Sequence, residues 1–318
     1  MHRHTLLVAL LPLCSAVRVA VFGGSGFIGS YACRALVASG CEVTSISRAG
    51  QNTLGPTSLV GKSQTLLEKF DGEAWLEQVT WVSADATMPD CNSDGKIAAA
   101  LAGADAVVGC MGSGDDLLTP STRGWMSGYT WSEMSEVQYA ANYAPNAKAV
   151  AAAKAAGAKR FVLVGVSSVA QMGFGGTLPG LYTGKRDAAL AAHAAFGDGF
   201  TFIGPHLVVE SSDARLKLLD SGLARGLTAF NKGIGGISSA GEDYSRTTSL
   251  TPPVSAGDLA IAIAAVATGR CEVEYSERFA GMTVASGVAD ADKVEICDRW
   301  RHVDGTAAIR ELAAAASR

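Results

Sequence analysis

The chain is short of the features that mark several protein classes. Its seven cysteines include no C-x-x-C pair, and no Cys/His cluster has zinc spacing. A disulfide framework and a structural zinc site are therefore not indicated, and free thiols in a reducing compartment are the simpler expectation. Basic residues form no block, the net charge is −4, and no basic or aromatic surface run stands out. Nucleic acid as the main partner is disfavoured on those grounds. There is no internal repeat and no long disordered tract. The apolar run from Thr5 to Leu13 is too short to span a bilayer, and no acidic residue occurs before Glu42.

That early absence matters. Residues 1–16 run from His2, Arg3 and His4 through the apolar stretch to Cys14, Ser15 and Ala16. Positive, apolar and then small is the order of a signal-like segment, and the missing acids also suit organellar targeting. Mitochondrion or plastid is the expected location, with the secretory pathway as the other outcome of such a segment. The alternative is a buried lead-in to the first strand.

The 318 residues suffice for one large α/β domain with a small appended lobe. Val17 to Phe22 is a β-branched run. It meets the turn Gly23-Gly24-Ser25-Gly26-Phe27-Ile28-Gly29, a helical stretch to Gly40, and a second β run, Glu42 to Ser47. Strand, glycine turn, helix and strand make a dinucleotide-binding βαβ fingerprint. Gly23 turns the chain off the strand. Gly26 lets backbone N–H groups approach a pyrophosphate. Gly29 lets the helix pack on the sheet, with its positive end facing the phosphates. The candidate cofactor contacts here are Gly23, Ser25, Gly26, Phe27, Ile28 and Gly29. The competing account is a tight βα turn without a ligand.

At the end of the second strand, where an acidic residue would select NAD by bonding the ribose 2′-hydroxyl, stands Arg48. A cation there suits a 2′-phosphate, which favours NADP(H) over NAD(H). It is otherwise a surface arginine at a strand end.

Further elements follow: a helix over Leu66 to Gln78, a strand over Val79 to Ser83, a short helix over 94–103, and a strand over Ala106 to Cys110. Residues 115–138 read as a polar and aromatic insertion, either a lid or a surface excursion. A helix over Tyr139 to Gly157, a buried strand over Phe161 to Val166, a glycine-rich loop over 171–180, a helix over Thr183 to Phe196 and a sixth strand over Phe200 to Ile203 come next. Beyond 210 the alternation weakens. A helix over Ala214 to Leu223, a substrate-side loop over 226–250, an extended Thr251 to Val254, and helices over Ala256 to Thr268 and 306–317 complete the expectation. This is a doubly wound parallel α/β sheet, with residues 17–210 as the dinucleotide-binding domain and 211–318 as a small C-terminal substrate lobe continuous with it.

These residues resemble the short-chain dehydrogenase/reductase superfamily in its extended or atypical, epimerase/dehydratase-like branch. The likeness rests on Val21 to Gly29, Ser47-Arg48, Ala84-Asp85, Asn142, Lys159 to Val164, Gly184-Lys185-Arg186 and Pro205. It is similar above all to organellar members such as the reductase-like subunit of coenzyme Q (ubiquinone) biosynthesis and its plastid relatives. The resemblance implies that Asp85 and Ala86 meet the adenine, and that Cys110, Met111 and Gly112 lie along the adenosine ribose. It further implies that Lys185 binds the nicotinamide ribose and that Pro205 and His206 flank the nicotinamide. It implies no metal.

The family's Tyr-x-x-x-Lys pair is displaced. Leu181 stands four residues before Lys185, and the tyrosine is Tyr182, at i−3. A one-residue adjustment near Gly180 and Gly184 would restore the geometry; otherwise Tyr182 packs in the loop. As an enzyme, the chain would use Tyr182 as acid, Lys185 as ribose anchor and Ser167 as substrate orienter, on a small carbonyl or quinone-related substrate. As a binding protein, it would be a nucleotide-holding accessory or assembly subunit, peripherally associated with a membrane-bound complex. Ser167 would then be an ordinary strand-end serine.

Overall fold

The computed structural model describes residues 16–48, 50–51, 54–55, 64–65, 70, 72–86, 91–112, 131–167, 179–206, 208–209, 254–273 and 301–318. Residues 1–15 of the 1–16 segment read as targeting, the 115–130 part of the expected insertion, most of the expected glycine-rich loop, and the helix and loop expected over 214–223 and 226–250 lie outside them.

Seven parallel strands form the central sheet. They are β1 (Arg18–Phe22), β2 (Glu42–Ser47), β3 (Val79–Ser83), β4 (Ala106–Gly109), β5 (Arg160–Val164), β6 (Phe200–Gly204) and β7 (Arg301–Asp304). Their order is β7-β6-β5-β4-β1-β2-β3, and every pairing is parallel. Chain direction reverses its winding between β1 and β4, where doubly wound sheets open a crevice at the strands' carboxyl ends. Strands buried on both faces should be near-continuous apolar runs. Accordingly, β4 and β6 are buried throughout, as is β1 beyond Arg18.

Helices cover both faces. One layer holds α1 (Phe27–Ala38), α5 (Ala256–Thr268) and α6 (Gly305–Ala316), whose Leu36, Ile263 and Ile309 pack with Val19, Val21 and Val108 of the sheet. The other holds α2 (Cys91–Leu101), α3 (Trp131–Ala155) and α4 (Pro179–Phe196), whose Ile97, Ala149 and Ala188 pack with Phe22, Phe161 and Phe202. Capping fixes α5 at both ends. The Ser255 hydroxyl accepts from Asp258 N at 2.9 Å, and Gly269 takes the left-handed conformation at the C-cap.

Two helices in contact at backbone distance carry the site. A Cβ on Gly180 of α4 would run into Ser135 O of α3, and one on Gly184 would lie 2.8 Å from Tyr139 O. The Tyr139 hydroxyl also donates to Asp187 Oδ2 at 3.0 Å across the same seam. Helix α4 runs as unbroken α-helix from Pro179 and contains Tyr182, so these glycines serve close packing, and the chain makes neither a one-residue adjustment nor a loop at Tyr182. Tyr182 keeps its i−3 relation to Lys185.

Other expectations are corrected. In place of a helix over Leu66 to Gln78, the described part is a short 3-10 helix, Ala74–Gln78. Helix α3 starts at Trp131, so 131–138 belong to it and not to an insertion. Strand β7 was not foreseen: it pairs with β6 and extends the main sheet. His302 within it is buried against the Phe202 ring, with centroids 5.2 Å apart. Burial drives its imidazole down to about 3, so the 3.7 Å approach to Asp304 is that of a neutral ring. Among the described residues, no helix is long and apolar enough to cross a membrane.

Candidate functional site

The crevice is built first from the turn after β1. Gly23 has φ +77, a conformation that favours glycine. Its N–H donates to Ile46 O at 2.8 Å, and its carbonyl accepts from Gly26 N at 2.9 Å. A Cβ on Gly29 would drive into Gly23 O, so helix and turn touch through that hydrogen-only position. Gly26 differs. Its backbone is extended, with φ −76 and ψ 176, and a Cβ there would meet only Gly23 O, at 3.1 Å. Protein packing thus demands glycine at 29 but hardly at 26.

Gly26 is also the N-cap of α1. No side chain caps the helix, and its first turn has no acidic residue. The first-turn N–H groups have no intrahelical acceptor, so this end suits an anion. Ser25 and Gly29 are buried, while Phe27 and Ile28 are half-buried on the turn. Behind it, Cys110 N donates to Phe22 O at 2.9 Å, which holds the end of β4 against β1.

Arg48 lies exposed at the carboxyl end of β2, its carbonyl accepting from Ser83 Oγ at 2.8 Å. Asp85 and Ala86 follow β3, and Asp85 N donates to Ser93 Oγ at 3.4 Å. Cys110 and Met111 are half-buried and Gly112 exposed beyond β4. These segments line the carboxyl ends of β2, β3, β4 and β1, the side on which the fingerprint places a dinucleotide.

Lys185 reaches the crevice floor from α4. It is 5% exposed, and its ammonium donates to Met111 O and to Val164 O, the latter at 3.2 Å. Burial holds its pKa down to about 8, with Cys110 opposing. The Cys110 thiol is in turn pushed up to about 12 by burial, with Lys185 pulling the other way. A Cβ on Gly112 would lie 3.1 Å from Lys185 Nζ and 3.0 Å from Asn142 Oδ1. This is the point where the buried cation comes nearest the crevice.

Asn146 is a member of the site that sequence reasoning missed. Its Nδ2 donates to Met111 O at 3.2 Å, the same carbonyl that receives Lys185. It therefore pins the β4 turn that holds the lysine. The available signal was its spacing: four residues after Asn142, it falls on the same face of α3. Both asparagines are fully buried.

Tyr182 is 8% exposed, and burial pushes its phenol up. That is opposite to the depression which a lysine-assisted acid beside an oxidised nicotinamide would show. Ser167, at the end of β5, is fully buried. Its N–H donates to Pro205 O at 2.9 Å, and its hydroxyl lies 3.4 Å from His206 Nδ1. Pro205 is buried and His206 half-buried beyond β6. Burial holds the His206 imidazole below its usual range. Among the described residues, no group of three or more His, Cys, Asp or Glu could hold a metal ion, and Cys33, Cys41, Cys110 and Cys271 are free thiols.

A reversed α/β sheet with an uncapped helix behind a glycine turn defines a dinucleotide-binding protein. The chain belongs to the NAD(P)H-binding family, which it matches over residues 23–196. It is 28% identical over 258 residues to an uncharacterized chloroplastic protein of Arabidopsis thaliana, covering 77% of this chain and 70% of that one. A shorter stretch of 73 residues is 34% identical to MIOREX complex component 2 of Saccharomyces cerevisiae, covering 23% of this chain and 22% of that one. Among solved structures, the dTDP-glucose 4,6-dehydratase DesIV of Streptomyces venezuelae with NAD bound matches with TM-score 0.47 at 19% identity, over 94% of this chain and 80% of that one.

Proposed function

We propose that the chain is an NADP(H)-dependent oxidoreductase of an organelle, acting on a small carbonyl or quinone-related substrate. The observation that carries the nucleotide half of this reading is the contrast between Gly29 and Gly26. The first is required by protein contacts, while at the second the space a side chain would take is almost empty of protein. Gly23, Gly26 and Gly29 would hold the pyrophosphate, Asp85 the adenine, and Lys185 the nicotinamide ribose. A nicotinamide dinucleotide would supply the hydride. The chain's own residues would position it, with the buried ammonium of Lys185 at hand. The organellar location is supported by the chloroplastic description of the Arabidopsis relative.

Arg48 supports the choice of NADP(H). A charge-assisted contact with a 2′-phosphate contributes about 1.5 to 3 kcal/mol, or roughly a ten- to hundredfold preference. Calorimetry should show NADPH binding tighter than NADH by that factor, and Arg48→Ala should erase the difference while leaving NADH affinity in place. Equal affinities in the parent would remove Arg48 from the account.

One observation favours a second reading. The buried Tyr182, with its phenol driven upward, suits a protein in which the cofactor is structural. Such a protein would be an accessory or assembly subunit at the periphery of a membrane-bound complex. NADPH oxidation measured over a panel of quinones and carbonyls separates the two: turnover supports the enzyme, and binding without any turnover supports the accessory subunit.

A further inference from the structure

Tyr182 is buried, and among the described residues a histidine also stands at the carboxyl ends of the central strands. His206 follows β6 at once, and its Nδ1 lies 3.4 Å from the hydroxyl of Ser167, at the end of β5. The pair is held from behind by the backbone. Ser167 N donates to Pro205 O at 2.9 Å, and a Cβ on Gly204 would lie 3.1 Å from Ser167 Cα. The two strand ends thus lock together, and the imidazole is tethered through one nitrogen. With Nδ1–H donating to the Ser167 hydroxyl, the ring is oriented and Nε2 is the nitrogen that can trade a proton.

We propose that His206, oriented by Ser167, is the proton donor and acceptor of this site in place of Tyr182. The proposal rests on the dinucleotide-dependent reading above. In the reductive direction a hydride from the nicotinamide dinucleotide adds to the carbonyl carbon of the substrate. The C=O π pair moves onto oxygen, and that oxygen takes the Nε2 proton of the imidazolium. The products are the alcohol, the oxidised dinucleotide and a neutral imidazole. The oxidative direction is the reverse: neutral Nε2 accepts the hydroxyl proton as the hydride leaves carbon. Ser167 touches the ring and is a positioning residue.

The groups on the surrounding elements are compatible with this. From α4, Lys185 spends its ammonium on Met111 O and Val164 O, and Tyr182 stays protonated through burial. From β7, Asp304 pairs in register with Gly204, and His302 is a neutral buried ring. Burial lowers the basicity of His206 and so favours its neutral form.

The test follows the His206 ring by NMR in the full chain carrying histidine labelled with carbon-13 at Cε1, titrated between about pH 5.5 and 8. It is run without dinucleotide, with NADP+ and with NADPH, and His206→Gln assigns the resonance by its loss. An oxidised nicotinamide carries a positive charge that the reduced one lacks. A ring within reach of the reacting carbon should therefore titrate lower with NADP+ than with NADPH, by about half a unit or more. Ser167→Ala should alter the Cε1 shift of the neutral form as the tautomer balance changes. Identical His206 titrations in the two complexes, with binding of both confirmed, would overturn the proposal and leave the dinucleotide reading standing. If neither dinucleotide binds, the functional reading itself fails and the proposal falls with it.

Discussion

Gly26→Val should lose dinucleotide affinity by about a hundredfold or more while costing little stability. The backbone at 26 is extended, so valine adopts it without strain. Its Cβ finds only Gly23 O at 3.1 Å, a contact relieved by a few tenths of an ångström. Losing glycine at an N-cap costs about 1 kcal/mol at most. The branched side chain instead occupies the space in front of the uncapped N–H groups, where a pyrophosphate would sit. Gly29→Val should do the reverse. Its Cβ drives into Gly23 O, which is backbone held by the 2.8 and 2.9 Å bonds of the turn. Overpacking against atoms that cannot yield costs about 3 kcal/mol or more, and the protein should melt far earlier or fail to fold. Calorimetry and thermal melts on the two variants read both quantities. A Gly26→Val protein that binds NADPH as tightly as the parent would place the pyrophosphate elsewhere.

Lys185→Met should separate the lysine's cost to folding from its service to the ligand. Burial lowers the Lys185 pKa from 10.5 to about 8. The sign follows directly. Between those values the unfolded chain holds the proton and the folded chain releases it, so stability rises with pH across that window. Below pH 8 both states are protonated, and the folded state carries the full penalty of about 3 kcal/mol. Methionine removes that penalty but leaves Met111 O without one of its two donors and Val164 O without its ammonium contact, at about 1 to 3 kcal/mol per lost partner. Without dinucleotide, the variant should melt close to the parent at pH 7, and the parent should gain on it between pH 8 and 10. Dinucleotide binding should fall at least tenfold. Parallel stability curves from pH 7 to 10 would show that Lys185 is not buried as a cation.

What was legible in the sequence was what repeats locally. Strands β1 to β6 announce themselves as β-branched or apolar runs, and the glycine turn carries its own spacing. Strand β7 does not. Arg301, His302, Val303 and Asp304 contain a single aliphatic side chain, and only pairing beside Phe202 buries the histidine. The first turns of α3 were hidden because Trp131 to Gln138 lacks an apolar stripe, while in the fold Ser135 O lies against Gly180 of α4. The contacts that define the site are non-local. Asn146 meets Met111 because α3 crosses the end of β4. Ser167 meets His206, 39 residues away, because β5 and β6 are neighbours in the sheet. Spacing along the chain marks the face that Asn146 shares with Asn142, but not the partner that either meeting brings.

The pairing of β7 with β6 also bears on the order of assembly. Thr201 lies opposite Arg301, so this ladder closes over a hundred positions of chain, whereas β1 and β2 close over far fewer. Loop-closure entropy grows with that span, and long-range parallel pairing is intrinsically slow. Until the ladder forms, β6 is an apolar strand with an open row of N–H and C=O groups, the kind of edge on which chains stick to one another. The polar character of β7 then has a kinetic benefit. The strand that must wait longest for its partner is the one least prone to find a wrong one.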